Sequence, residues 1–191
     1  GYSAQVYPIQ IAVWGGLPVK KNFGLAAYQY NIAGMLWYLH NDITAYMGDK
    51  YHNPVAPGTV VYFTSKYSYI EGSENSNELG EATVTLVSGE NRPYPYMHPD
   101  SAIVPVYSHT YNQYFEPVRD TTRLIYSSSA TLEIDHYTFT YGPGDFNEDF
   151  AFTVQDIYGN PLTPGTKITV LTDFGGVAGD VNVTMDDTAP Y

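Results

Sequence analysis

The sequence predicts an all-β protein of two tandem sandwiches, and three observations carry that expectation. Tyr is the unusual residue, 20 of 191, and it favours half-buried pleated surfaces, while 17 Gly and 13 Pro punctuate the runs between candidate strands. Apolar residues recur with period two in short segments, as in Ile9, Ile11, Val13 and in Ala82, Val84, Leu86. The third observation is a duplication. Asp49-Lys50-Tyr51-His52-Asn53-Pro54-Val55-Ala56-Pro57-Gly58-Thr59 returns 107 positions later as Asp156-Ile157-Tyr158-Gly159-Asn160-Pro161-Leu162-Thr163-Pro164-Gly165-Thr166. In both copies alternation follows, Val61 and Phe63 matching Ile168 and Val170, and the same displacement pairs Gly72 with Gly179. Asn before Pro favours extended or turn geometry, and Pro-Gly joins a fixed φ to a permissive one. The repeat therefore reads as a connection between strands, not as a catalytic loop.

Taken in order, Gln5 to Trp14 is a strand ended by Gly15-Gly16. Leu25 to Ile32 follows, then Leu36 to Met47 with Ile43, Ala45 and Met47 inward, and Thr59 to Ser65 after the first motif. A loop through Gly72 and the polar run Ser73 to Glu78 leads to Ala82 to Leu86. Ala102 to Tyr107 reads as a strand interrupted at Pro105, which demotes it to an edge or a bulge. Tyr111 to Pro117 is an aromatic connection, Arg123 to Tyr126 a short strand, and Ser127-Ser128-Ser129 a junction. The second unit repeats the order in Thr131 to Thr140, Glu148 to Gln155, Lys167 to Thr172 and Val181 to Met185, the last expected to match Ala82 to Leu86.

The expected division is residues 1–23 as an N-terminal strand and linker, 24–129 as one sandwich and 130–191 as a second. The strands that follow Gly89 in the first unit have no counterpart in the second, which leaves an open edge and an uncovered apolar face. Two readings stay open: the segment around Ile9, Ile11 and Val13 completes the second sandwich of a neighbouring copy, or the chain was cut from a longer tandem protein.

Asp49 to Thr59, Val61-Tyr62-Phe63-Thr64 and Leu79-Gly80-Glu81-Ala82-Thr83-Val84-Thr85-Leu86-Val87-Ser88-Gly89 resemble the bacterial immunoglobulin-like modules of invasin and intimin type. His52 stands where that family usually has Gly, and Gly159 satisfies the pattern in the second copy. The likeness covers a little over half of the chain. It implies immunoglobulin-like sandwiches at the cell surface or outside the cell, used as spacers in adhesins and filaments, with no catalytic residues to carry over.

Charge and chemistry narrow the function further. A formal charge of -12 opposes binding to a nucleic-acid backbone or an anionic membrane, and no segment is apolar for long enough to span a bilayer. Cysteine is absent. That excludes disulfides and thiol chemistry but leaves the compartment open. From Thr131 onward ten acidic residues face one Lys. Within that stretch Asp145, Asn147, Glu148 and Asp149 gather hard oxygen donors into one turn, making calcium the one admissible cofactor beside an ordinary solvated turn. The five His residues have no metal-ligand spacing, no hydrolase or phosphate-binding motif occurs, and no enzymatic activity is expected.

The expected partners are copies of the chain or adjacent modules, with Ile9, Ile11, Val13 and Trp14 as contact residues. Tyr94, Tyr96, Tyr111 and Tyr114 are the other candidate interface, since Tyr presents a large ring with a polar tip. A receptor or a glycan bound by these loops is the alternative function.

Overall fold

The computed structural model describes residues 15–93, 102–134, 149, 151–173 and 175–187. The first unit contains β1 (Phe23–Ala27), β2 (Asn31–Ile32), β3 (His40–Met47), β4 (Val60–Ser65), β5 (Tyr69–Ile70), β6 (Ser73–Asn75), β7 (Glu81–Val87), β8 (Ile103–Tyr111) and β9 (Pro117–Tyr126). Two sheets form, in the orders β1-β3-β7-β5 and β2-β9-β8-β4-β6. Alternation drives this arrangement. Ile43, Ala45 and Met47 on β3 and Ala82, Val84 and Leu86 on β7 meet Val61 and Phe63 on β4, Val104 and Val106 on β8, and Leu124 and Tyr126 on β9 in one core. Full burial of each large side chain contributes about 1.5–3 kcal/mol. The result is an immunoglobulin-like sandwich, with sequence-distant strands adjacent in both sheets.

At each flank of the sandwich two short consecutive strands divide between the two sheets. The expected single strand from Leu25 to Ile32 is divided: β1 runs antiparallel to β3, and β2 runs parallel to β9 in the other sheet. Buried Asn41 holds the crossing, its Oδ1 accepting from Gln29 N–H at 3.1 Å and its Nδ2 donating to Gln29 C=O at 2.7 Å. In the same way β5 pairs with β7, and β6 then pairs with β4. Both edges are thus short and shared, which limits uncontrolled edge pairing.

Two sequence expectations need correction here. Pro105 does not make its strand an edge or a bulge, because β8 runs unbroken between β4 and β9. The Pro105 carbonyl accepts from Lys66 N–H, so its missing N–H faces the same side, where β4 has already ended at Ser65. The bond that proline cannot make is thus confined to the very end of the β4–β8 ladder. Similarly, the short strand expected at Arg123 to Tyr126 is the end of the ten-residue β9.

The second unit contains β10 (Ala130–Ile134), β11 (Phe152–Asp156), β12 (Lys167–Thr169) and β13 (Asn182–Thr184). β10 pairs with β11 and β12 with β13, both antiparallel. Val181 to Met185 was expected to match β7. It instead holds the place of β6, since β13 pairs with β12 as β6 pairs with β4. The polar β6, Ser-Glu-Asn, has no apolar alternation, so the apolar β13 found a false match in the next strand of the first unit.

Candidate functional site: repeated joints and an open groove

The duplicated motif builds the same carboxylate-centred turn twice. Buried Asp49 accepts N–H donors from Tyr51 at 2.8 Å and Asn53 at 2.9 Å, and buried Asp156 accepts from Tyr158 and Asn160 at 2.8 Å each. Asn53 and Asn160 add their side-chain amides to the same carboxylates. Such closure needs left-handed backbone inside the turn. His52 has φ 68° and Gly159 φ 83°, so the histidine adopts a conformation that glycine takes without strain.

The second carboxylate oxygen reaches outward to the chain that enters each unit. Gly16 N–H donates to Asp49 Oδ2 at 2.9 Å, and Ser128 N–H donates to Asp156 Oδ2 at 2.9 Å. Immediately before them, Gly15 N–H donates to the Pro54 carbonyl at 3.0 Å and Ser127 Oγ–H to the Pro161 carbonyl at 2.7 Å. Pro54 and Pro161 are equivalent in the repeat. One joint is therefore built twice, with Gly15-Gly16 in the first unit standing where Ser127-Ser128 stand in the second. The approach at the first joint is close: a Cβ on Gly15 would lie 2.7 Å from the Asp49 carboxylate. Donation by the Gly16 amide, supported by Asn53 and Tyr51, outweighs desolvation and lowers the Asp49 pKa from 3.8 to about 2.

The second joint carries an additional clasp from the first sandwich. Asn31 Nδ2 donates to the Pro161 carbonyl at 2.8 Å and the Leu162 carbonyl at 3.0 Å, while Ser127 Oγ–H also bonds Asn31 Oδ1. From the other side, the Asp187 carboxylate accepts the N–H groups of Tyr30 and Asn31 at 2.9 Å each. The run Ser127-Ser128-Ser129 was legible as a junction. Asn31 was not, because nothing local distinguishes an Asn beginning a strand, and the amides that Asp187 caps lie 157 and 156 positions away from it.

Beyond this joint lies an apolar groove of about 510 Å³, lined by Phe152, Val154, Ile168, Val170, Val183 and Met185 among others. These six residues are half-buried. At the repeat-equivalent positions of the first unit, Ala45, Met47, Val61 and Phe63 are 0, 4, 0 and 2 % exposed. The difference has a structural source: β7, β8 and β9 seal the first sandwich, and among the described residues no strands stand in their place in the second.

Several expected site residues lie outside the described residues: Ile9, Ile11, Val13, Trp14, Tyr94, Tyr96, Asp145, Asn147 and Glu148. Asp149 is exposed on the lining of the groove. Tyr111 ends β8 with its ring edge-on to His109. Tyr114 stands exposed on the 112–116 turn, held by Asn112 Oδ1, which accepts from Tyr114 N–H at 2.8 Å and Glu116 N–H at 3.0 Å. Among the described residues no group of three His, Cys, Asp or Glu side chains is placed to hold a metal, and no helix is long and apolar enough to cross a membrane.

No protein-family model and no curated protein sequence matches the chain. Among solved structures it is similar to the D0–D1 domains of intimin, at 19% identity and a TM-score of 0.42 over 88% of this chain and 80% of that one. It is also similar to the D00–D0 domains of intimin, at 19% identity and a TM-score of 0.40 over 60% of this chain and half of that one. The assignment of the sandwich rests on the strand order and core described above.

Proposed function

We propose that the chain is a non-enzymatic structural module of an adhesin-type cell-surface protein, stacking sandwiches end to end and joining copies head to tail by strand addition. The observation that carries this reading is the contrast between the sealed core of the first sandwich and the open groove at equivalent positions of the second. An open sandwich is completed by a β-segment that supplies main-chain hydrogen bonds to the free edge and alternate side chains to the groove. The segment with that pattern is the one around Ile9, Ile11 and Val13 of a second copy, ending in Trp14. It directly precedes Gly15-Gly16, which occupy at Asp49 the place that Ser127-Ser128, just after β9, occupy at Asp156. A contact of this kind is heterologous and propagates into a filament.

Sedimentation of the full chain and of a variant lacking residues 1–16 tests the proposal. The full chain is expected to form large particles, and the shortened one to lose them and to bind an added peptide of residues 5–14. A full chain that stays monomeric at high micromolar concentration and a peptide that does not bind would sink the head-to-tail reading. Groove closure by further strands of a longer chain would then be the surviving form of the module.

A further inference from the structure

The outer face of the second sheet differs from the rest of this acidic chain. Strand register lines up Ser73, Tyr62, His109 and Arg119 across β6, β4, β8 and β9. The next rung on that face holds Thr64, Tyr107 and Thr121, and beyond it Pro105 stands opposite Arg123. Tyr62 stacks on His109 with ring centroids 5.1 Å apart at 22°, and Tyr111 meets the same imidazole edge-on at 5.7 Å. Tyr62, Tyr107 and Tyr111 keep 41, 45 and 45 % of their surface exposed.

Two of the chain's three arginines stand on this face. Both are exposed, and among the described residues no carboxylate forms an ion pair with either. Four residues apart on one strand, they rise from Cα positions about 13 Å from each other, and each carries a planar guanidinium fork. A row of phenols, an imidazole and the hydroxyls of Ser73, Thr64 and Thr121 across four strands, with two guanidinium forks on β9, suits an extended partner better than a small molecule. Aromatic surface and hydroxyls match sugar rings, and the forks match carboxylates bidentately. The charge of -12 disfavours a densely charged phosphate chain, whereas a polymer with intermittent carboxylates places its charges at the arginines and neutral hydroxyls elsewhere.

We infer that this face, centred on Tyr62, Tyr107, His109, Arg119 and Arg123, binds an acidic polysaccharide carrying uronic-acid sugars. The inference is independent of the head-to-tail reading and uses residues other than the Tyr94 and Tyr96 loop.

Affinity electrophoresis of the full chain in gels containing hyaluronate, unsulfated chondroitin or neutral dextran tests it. Retardation by at least one acidic polymer and none by dextran is expected. The double variant Arg119→Gln/Arg123→Gln, and separately Tyr62→Ala, should weaken that binding at least tenfold, with Tyr114→Ala leaving it unchanged. Circular dichroism melts establish that the variants fold; if the arginine pair misfolds, loss of retardation with rising salt in the unaltered chain is the required result. Absence of retardation by any acidic polymer overturns the inference, as does binding indifferent to these substitutions. Variants that change sedimentation of the protein alone without changing polysaccharide binding would assign the face to protein contact and overturn it as well.

Discussion

Asp49 and Asp156 illustrate how one carboxylate organises a turn and a joint together. Two turn amides and an Asn side chain occupy each carboxylate, and an amide of the entering chain completes the set. Charge-assisted bonds of this type favour the ionised form. Because the Asp49 pKa falls from 3.8 to about 2 in the folded state, its stabilising contribution is fully present above the ordinary value. That contribution is lost as pH falls between about 4 and 2. Near-UV circular dichroism, strong in so Tyr-rich a chain, is expected to report loosening of the first unit in that window. Asp49→Asn should reduce stability at neutral pH and remove that component of the acid dependence; a variant whose acid transition is identical to the parent's would assign the loss to other carboxylates.

At the scale of elements, the same apolar alternation has different energetic consequences in the two units. Phe63 on β4 is sealed between sheets, whereas Val170, its repeat equivalent just after β12, is half-buried along the groove. Phe63→Ala is expected to cost about 3–5 kcal/mol through lost burial and the cavity left behind. In the isolated monomer Val170→Ala should cost under about 1 kcal/mol, as its environment is already open. Urea denaturation of each variant measures both, and equal costs would mean that the second groove is closed in solution. The sheet-switching strands work differently. They contribute few residues to either ladder, and a single buried side chain, Asn41, holds the first crossing on both sides.

For the molecule as a whole, the joint between units decides whether two sandwiches behave as a rod or as beads. Asn31 reaches the Pro161 and Leu162 carbonyls, and Asp187 caps the amides of Tyr30 and Asn31 from the second unit. Each bond to the Asp187 carboxylate is worth about 1.5–3 kcal/mol at most and each neutral Asn31 bond about 0.5–1.5 kcal/mol, less where water competes. Asp187→Ala is therefore expected to loosen the joint without unfolding either unit, seen as a larger radius of gyration and a broader distance distribution by small-angle scattering. An unchanged scattering profile would show that Asn31 and Ser127 suffice to hold it.

Fold class, the repeated turn and most strand positions were determined by sequence alone, because period-two burial and the Asp-to-Thr turn are local signals. Ile43, Ala45 and Met47, like Ala82, Val84 and Leu86, announce their inward face through their neighbours along the chain. The repeat also marks the turn itself, whereas the left-handed backbone shared by His52 and Gly159 came from the structure. Tertiary structure alone decided what depends on strands brought together from far apart. Pro105 is harmless in a central strand only because β4 ends beside it. Likewise, β13 belongs with β12 because of pairing, which its alternation could not specify. The joint and the aromatic face follow the same rule: Asn31 meets Pro161, and Tyr62 meets His109 and then Arg119, across sequence separations that no local pattern encodes.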